Sequence, residues 1–117
     1  MNLQVEMEQH RKTLIIRLSG ELDHHTADMV RMRLDEAIQR GQVEHLILSL
    51  KGLQFMDSSG LGVILGRYKL IKSKGGKMVV CEVNPTVYRL LDMSGLFKIM
   101  QIYDNEGHAL SGLEVVS

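Results

Sequence analysis

The sequence predicts an α/β fold: a mixed β-sheet of four to five strands packed with about four helices, in the order ββαβαβαβ(α). Short aliphatic runs alternate with stretches of helical periodicity, and this alternation predicts βαβ units with parallel strands. The first two apolar segments instead predict a hairpin, which makes the sheet mixed. The 117 residues contain no linker, repeat or low-complexity segment. We therefore expect one domain, spanning residues 1–117.

The two N-terminal elements are predicted to be strands. Residues 3–9 alternate apolar and polar side chains, as in a half-exposed strand. Arg11 and Lys12 form a turn, and residues 13–19 are the hairpin partner. Gly20 is expected to end this second strand.

The first helix is predicted over residues 26–40, where apolar side chains recur at helical spacing. Asp23 and Thr26 are both suitable caps, and Gly41 stops the helix. Arg31 and Asp35 are expected to form an i,i+4 ion pair on its exposed face.

The second half of the chain continues the alternation. Residues 45–50 predict a buried parallel strand, and a helix follows from Asp57 until Gly75 and Gly76 end it. Basic residues near the end of this helix, among them Arg67, are expected to complement its dipole. The remaining predicted elements are a buried strand over residues 77–81, a helix capped by Asn84-Pro85 and ended by Gly95, a strand over residues 100–103, and a C-terminal helix or loop from Asn105.

Composition excludes several classes of protein. Lys and Arg total 14 and Asp and Glu total 14, whereas a nucleic-acid-binding domain would normally carry a basic surplus. The single cysteine, Cys81, cannot form an internal disulfide and is expected to be a buried apolar residue in a reduced, cytoplasmic protein. We find no signal peptide, membrane span or lipidation motif. The five histidines lack the spacings of a metal site, so no metal or cofactor is expected.

Asp57-Ser58-Ser59 falls where a helix should begin, which suits three roles. The segment can cap the helix, bind an anion at the exposed N–H groups, or present a serine that acquires a phosphate. The tripeptide alone favours the cap. The glycines that follow would leave the helix start open to the backbone of another protein.

Two enzyme-like interpretations of this region are weaker. Gly60, Gly62 and Gly66 partly match a dinucleotide-binding fingerprint, which leaves a small nucleotide-binding regulator as an alternative function. The intervening loop and the short chain argue against it, and tight helix packing is the preferred explanation. Neither Ser58 nor Ser59 has the flanking glycines of a hydrolase elbow.

Two motifs together resemble a known family. Asp57-Ser58-Ser59-Gly60-Leu61-Gly62, followed by a long amphipathic helix, resembles the signature of STAS domains, and Gly20-Glu21-Leu22-Asp23 is similar to the second marker of that family. The likeness covers essentially the whole chain. Within the family it is strongest to the bacterial anti-sigma factor antagonists, particularly those of sporulation.

The resemblance implies a regulatory binding protein without enzymatic activity. The unmodified antagonist would bind an anti-sigma factor that is also a serine kinase, as a monomer, and release the sigma factor. Phosphorylation would fall on Ser58, and a serine phosphatase would reverse it. A family member that serves general stress signalling would show the same features with a different partner. The docking patch would comprise Gly20, Glu21, Asp23, His24, Asp57, Ser59, Gly60 and Leu61, around Ser58.

Overall fold

A mixed five-stranded sheet, with strand order β1-β2-β3-β4-β5, runs through the computed structural model, which describes residues 2–116. The first two strands are antiparallel, and every later neighbour pair is parallel. This arrangement confirms the predicted fold class. The strands are β1 (Leu3–His10), β2 (Thr13–Leu22), β3 (His45–Met56), β4 (Met78–Cys81) and β5 (Ile102–Tyr103).

The helices cover the two faces of the sheet unequally. Leu14, Ile16 and Leu18 of β2 point into the larger core, which also contains the buried stripes of the first three helices. Ile15, on the opposite face of the same strand, packs in a smaller cluster with the last helix. The helices are α1 (Ala27–Arg40), α2 (Ser58–Ser73), α3 (Pro85–Met93) and α4 (Glu106–Val116), and a 3₁₀ turn spans Leu96–Lys98.

Two strands extend further than the sequence predicted. β2 does not end at Gly20 but continues to Leu22, and β3 runs to Met56 rather than to residue 50. Gly20 lies inside β2 with φ +105, where a β-carbon would come 2.1 Å from the carbonyl oxygen of Asn2. Register shifts in the β2–β3 pairing take up this irregularity. The longer strands bring the two loops that follow them close together.

The predicted ion pair between Arg31 and Asp35 is wrong. Arg31 contacts Asp28 instead, at 3.1 Å. Asp35 contacts Arg67 of α2, with Nε 2.9 Å from Oδ1, and the Arg67 side chain is only 10% exposed. Arg67 therefore joins two helices instead of lying in solvent at a helix end.

The termini of the predicted domain, residues 1 and 117, lie outside the described residues. No helix within residues 2–116 is long and apolar enough to cross a membrane. Cys81 is fully buried in the smaller cluster, and this burial raises the pKa of its thiol to about 12. Cys81 is thus a buried core residue, as predicted.

Candidate functional site

The two sequence motifs meet at the carboxyl ends of neighbouring parallel strands. In the β2–β3 register, Glu21 pairs with Phe55 and Leu22 pairs with Met56. The backbone N–H of Asp57 then donates to the carbonyl of Leu22 at 3.2 Å. The loops that lead into α1 and α2 therefore start side by side, as loops at this edge of a parallel sheet do when they form a site.

Asp57 is the N-cap of α2 and the bridge between the two loops. Its Oδ1 accepts hydrogen bonds from the backbone N–H groups of Ser59 at 2.8 Å and Gly60 at 3.4 Å. Its Oδ2 accepts the backbone N–H of His24, in the other loop, at 3.2 Å. Burial raises the pKa of this carboxyl, but the N–H groups favour the charged form and the net pKa is below its usual value.

Asp23 orders the loop between β2 and α1. Its carboxylate accepts the backbone N–H groups of His25 at 2.9 Å and Thr26 at 3.2 Å. The Thr26 hydroxyl donates to the carbonyl of Glu21 at 3.0 Å and makes no cap bond to α1. Although burial raises the pKa of Asp23, the two N–H groups hold it below its ordinary value. Asp23 is itself buried, so it holds the loop and presents little surface.

Ser58 is the first residue of α2, and its side chain is exposed. Ser59, one residue later, is half-buried. Because Asp57 already caps the helix, the Ser58 hydroxyl is not needed for the cap. Ser58 is thus the more accessible of the two serines.

The glycines after the serines differ from one another. A β-carbon on Gly60 would come 2.4 Å from Met56 Cγ and 2.9 Å from the carbonyl oxygen of Leu22. A β-carbon on Gly62 would have nothing within 4 Å. Gly60 therefore lets α2 lie close against the strand ends, whereas Gly62 leaves open space.

The structure brings all the predicted site residues to this edge but at different depths. His24 and Ser58 are exposed, whereas Asp23 and Gly60 are buried. The half-buried members of the predicted patch are Gly20, Glu21, Asp57, Ser59 and Leu61.

A groove between α1 and α2 was missed by the sequence analysis. It has a volume of about 350 Å³ and opens next to the serine loop. Phe55, also unpredicted, is 49% exposed on β3 opposite Glu21. Asp28 and Arg31 lie three residues apart on one face of α1, and this spacing is the signal that would have indicated the groove. The groove is lined by His24, Ala27, Asp28, Arg31, Ser59, Gly62 and Val63.

The site offers little to a metal or nucleotide. Within the described part of the chain, no group of three or more His, Cys, Asp and Glu side chains is placed to hold a metal ion. At the start of α2, the Asp57 carboxylate already accepts the N–H groups of Ser59 and Gly60. A nucleotide phosphate would have to displace that carboxylate to use them.

Comparison with known proteins identifies the family. Residues 4–109 match the STAS domain family. The chain is 79% identical, over 100% of both sequences, to an anti-sigma F factor antagonist from Paenibacillus polymyxa. The chain belongs to the STAS-domain family.

Two solved structures extend the likeness to three dimensions. The anti-sigma factor antagonist SpoIIAA in its unphosphorylated form has a TM-score of 0.73 and 33% identity, covering 97% of this chain and 98% of its own. The Bacillus cell fate determinant SpoIIAA in the phosphorylated form has a TM-score of 0.74 and 35% identity, with coverage of 92% and 97%. A protein with this fold has thus been observed both with and without phosphate.

Proposed function

We propose that this chain is an anti-sigma factor antagonist whose docking surface surrounds Ser58. The observation that carries the proposal is the exposed Ser58 hydroxyl at the start of α2, beside a cap that Asp57 supplies. The relative that is 79% identical is an anti-sigma F factor antagonist, which supports the same role for this chain. The partner is an anti-sigma factor that is also a serine kinase, and its capture frees the sigma factor.

The switch is a phosphoryl transfer carried out by the partner. The Ser58 oxygen forms a bond to the γ-phosphorus of ATP, the bond between that phosphorus and the bridging oxygen breaks, and ADP leaves. The hydroxyl proton passes to a base of the kinase. A serine phosphatase restores the hydroxyl by transferring the phosphoryl group to water. This chain supplies the acceptor and is not itself an enzyme.

Phosphate alters the docking surface without requiring a new fold. It brings about −1.5 to −2 charges to a position next to the Asp57 carboxylate. The dipole of α2 offsets part of that charge, and the N–H groups of Ser59 and Gly60 continue to donate to the Asp57 carboxylate. A partner surface that fits the neutral hydroxyl would repel the phosphate or strip it of water without pairing its charge. The phosphorylated form therefore binds the partner weakly.

The contact surface comprises the exposed and half-buried members of the patch, and the buried residues Asp23 and Gly60 position it. We place the protein in the cytoplasm as a monomer of one domain, with no cofactor and no contact to nucleic acid or membrane.

The test is binding to a purified anti-sigma factor kinase by calorimetry, before and after incubation with ATP and magnesium. Ser58→Ala should bind as the parent does and stay bound, because no phosphate can be added. Ser58→Asp should bind at least about tenfold more weakly, which corresponds to about 1.4 kcal/mol. Ser59→Ala is the matched control and should still be switched off by ATP. Stoichiometric phosphate on the Ser58→Ala variant would contradict the assignment.

The partner itself is identified by the same assay. An anti-sigma-F factor should bind more tightly than an anti-sigma-B factor, since the 79% identical relative is an anti-sigma F factor antagonist and an anti-sigma-B factor antagonist is only 32% identical. Tighter binding to the anti-sigma-B factor than to the anti-sigma-F factor would instead assign the chain to general stress signalling. The alternative of a nucleotide-binding regulator using Gly60, Gly62 and Gly66 predicts tight nucleotide binding by the chain alone, measured by equilibrium dialysis.

A further inference from the structure

We propose that His24 is the group on this chain that pairs with the phosphate once Ser58 is phosphorylated. The inference rests on the proposed function for the phosphate and goes beyond it by naming a side chain that the modification recruits. The charged form of the imidazole would make an ion pair with the phosphate across the two loops.

The geometry places the His24 ring against Asp57, the residue that directly precedes Ser58. Its Nδ1 lies 3.6 Å from Asp57 Oδ2, and its backbone N–H donates to the same oxygen at 3.2 Å. Ser58 follows Asp57 directly and has a short side chain. A phosphate on Ser58 is therefore attached to the residue next to the carboxylate that the His24 ring contacts. The His24 side chain is 69% exposed, so most of the ring is accessible to a new group.

The added negative charge of the phosphate favours a cation at the position of the His24 ring. Asp57 is already ionised here, and a phosphate would add about −1.5 to −2 charges next to it. Histidine is the side chain whose charge changes near neutral pH, and nearby anions favour its protonated form. In the unmodified chain the ring contacts the Asp57 carboxylate, and in the phosphorylated chain a phosphate would add further negative charge beside it.

Two neighbouring basic side chains, Arg31 and His25, are less suited to the role. Arg31 lines the same groove, but its guanidinium is 3.1 Å from the Asp28 carboxylate, which offsets its charge. His25 stacks on His24 with ring centroids 3.9 Å apart, and its backbone follows the Asp23 turn rather than Asp57. The titratable and charged groups near the ring include Asp23, His25, Asp28, Arg31 and Asp57.

The test is the ³¹P NMR titration of the full chain with phosphoserine incorporated at position 58 during synthesis, so that no kinase is needed. A phosphoserine loses its second proton near pH 6, and a cation beside it lowers that midpoint. The parent should titrate about half a pH unit below the His24→Gln variant. His25→Gln is the matched control and should titrate with the parent.

Two controls accompany the titration: its dependence on salt and an amide spectrum that verifies the fold. The difference between the parent and His24→Gln should shrink from low to high salt, as for an exposed ion pair. The backbone N–H of residue 24 still donates to Asp57 in the variant, and an unchanged amide spectrum outside the two loops verifies the fold. Superimposed titration curves for the parent and His24→Gln would overturn the inference while leaving the proposed function intact. Failure of a partner kinase to phosphorylate Ser58 would instead overturn the proposed function.

Discussion

At the residue scale, the site depends on Asp57 more than on the serine that follows it. One carboxylate accepts N–H groups from both ends of the site: Ser59 and Gly60 on α2, and His24 on the neighbouring loop. Ser58 does not cap the helix, and its side chain is exposed. The side chain that we propose is phosphorylated and the side chain that holds the loops are therefore different residues.

The lowered pKa of Asp57 gives a testable dependence of stability on pH. The charged form of Asp57 is favoured in the folded chain. Its contribution to the free energy of unfolding is therefore fully present above the pKa of Asp in the unfolded chain, about 3.9, and is lost as the pH falls through the lower pKa of the folded chain. Asp57→Asn keeps a capping side chain but removes the charge, and should lower the free energy of unfolding at pH 7 by about 0.5–1 kcal/mol. Urea unfolding over a pH series should show this difference vanishing in acid.

The control for that series is Asp92→Asn, which neutralises an exposed carboxylate in the last turn of α3. A negative charge there opposes the helix dipole, so its removal should cost nothing. Equal losses in the two variants would show that the cap charge of Asp57 contributes nothing specific.

At the scale of the elements, the first turn of α2 is fixed by how closely it approaches the strand ends. Gly60→Ala should lower the free energy of unfolding by about 2 kcal/mol, because its β-carbon would meet Met56 and the Leu22 carbonyl. Gly62→Ala, one half-turn along, has open space and should be neutral or stabilising by up to about 1 kcal/mol. Thermal or urea unfolding of the two variants makes the comparison, and equal effects would contradict the packing argument.

The contact between α1 and α2 depends on the Asp35–Arg67 pair. The Arg67 side chain is 10% exposed, and Asp35 is the carboxylate beside its Nε at 2.9 Å. The contact lacks the alignment of a hydrogen bond, and Arg67 Nη1 has no partner among the described residues, so the attraction is mainly between charges. Burial and the nearby Arg31 hold the pKa of Arg67 below its usual value, and Asp35 partly offsets them.

Removing one partner of this pair should therefore cost more than removing both. Asp35→Ala leaves a buried guanidinium without its counter-charge and should cost about 2 kcal/mol, less than a fully buried pair because Asp35 is 41% exposed. Adding Arg67→Met to that variant should recover part of the loss. Urea unfolding of the two single variants and the double variant tests this, and strictly additive losses would argue against coupling.

At the scale of the whole molecule, the sheet carries three helices on one face and α4 on the other. α4 is tied to β2 by a bidentate ion pair, with Arg17 Nε 2.7 Å from Glu106 Oε2 and Nη2 2.8 Å from Oε1. Arg17 lowers the pKa of Glu106, against the opposing effect of burial. The contribution of this ion pair to the free energy of unfolding is therefore fully present above the pKa of Glu in the unfolded chain, about 4.3. It is lost as the pH falls through the lower pKa of Glu106 in the folded chain.

Glu106→Gln should lower the free energy of unfolding by about 1 kcal/mol at neutral pH, the upper range for an ion pair that keeps some solvent contact. Hydrogen exchange should become faster at the amides of α4 and stay unchanged in α1, since the two helices pack on opposite faces. Glu8→Gln is the control, because Glu8 also contacts Arg17 but is 57% exposed. Equal protection of α4 in all three proteins would show that the ion pair does not anchor it.

The order of strands and helices was predictable because each element carries its own periodicity. The ends of β2 and β3 were not, since Gly20 and the polar residues after Leu50 look like loop until the neighbouring strand pairs with them. Asp57 was predictable as a cap from its position. The partner of Asp35 was not, because Arg67 is distant in sequence and reaches it only when two helices pack.

The cap supplied by Asp57 has a consequence for how long each form of the protein persists. A chain whose covalent mark fell on a structural side chain would unfold faster in one state, and proteolysis would then remove that state selectively. Under the proposed function the mark falls on Ser58, which does not cap the helix, so we expect both forms to share one lifetime. The ratio of the two populations then records only the balance between kinase and phosphatase.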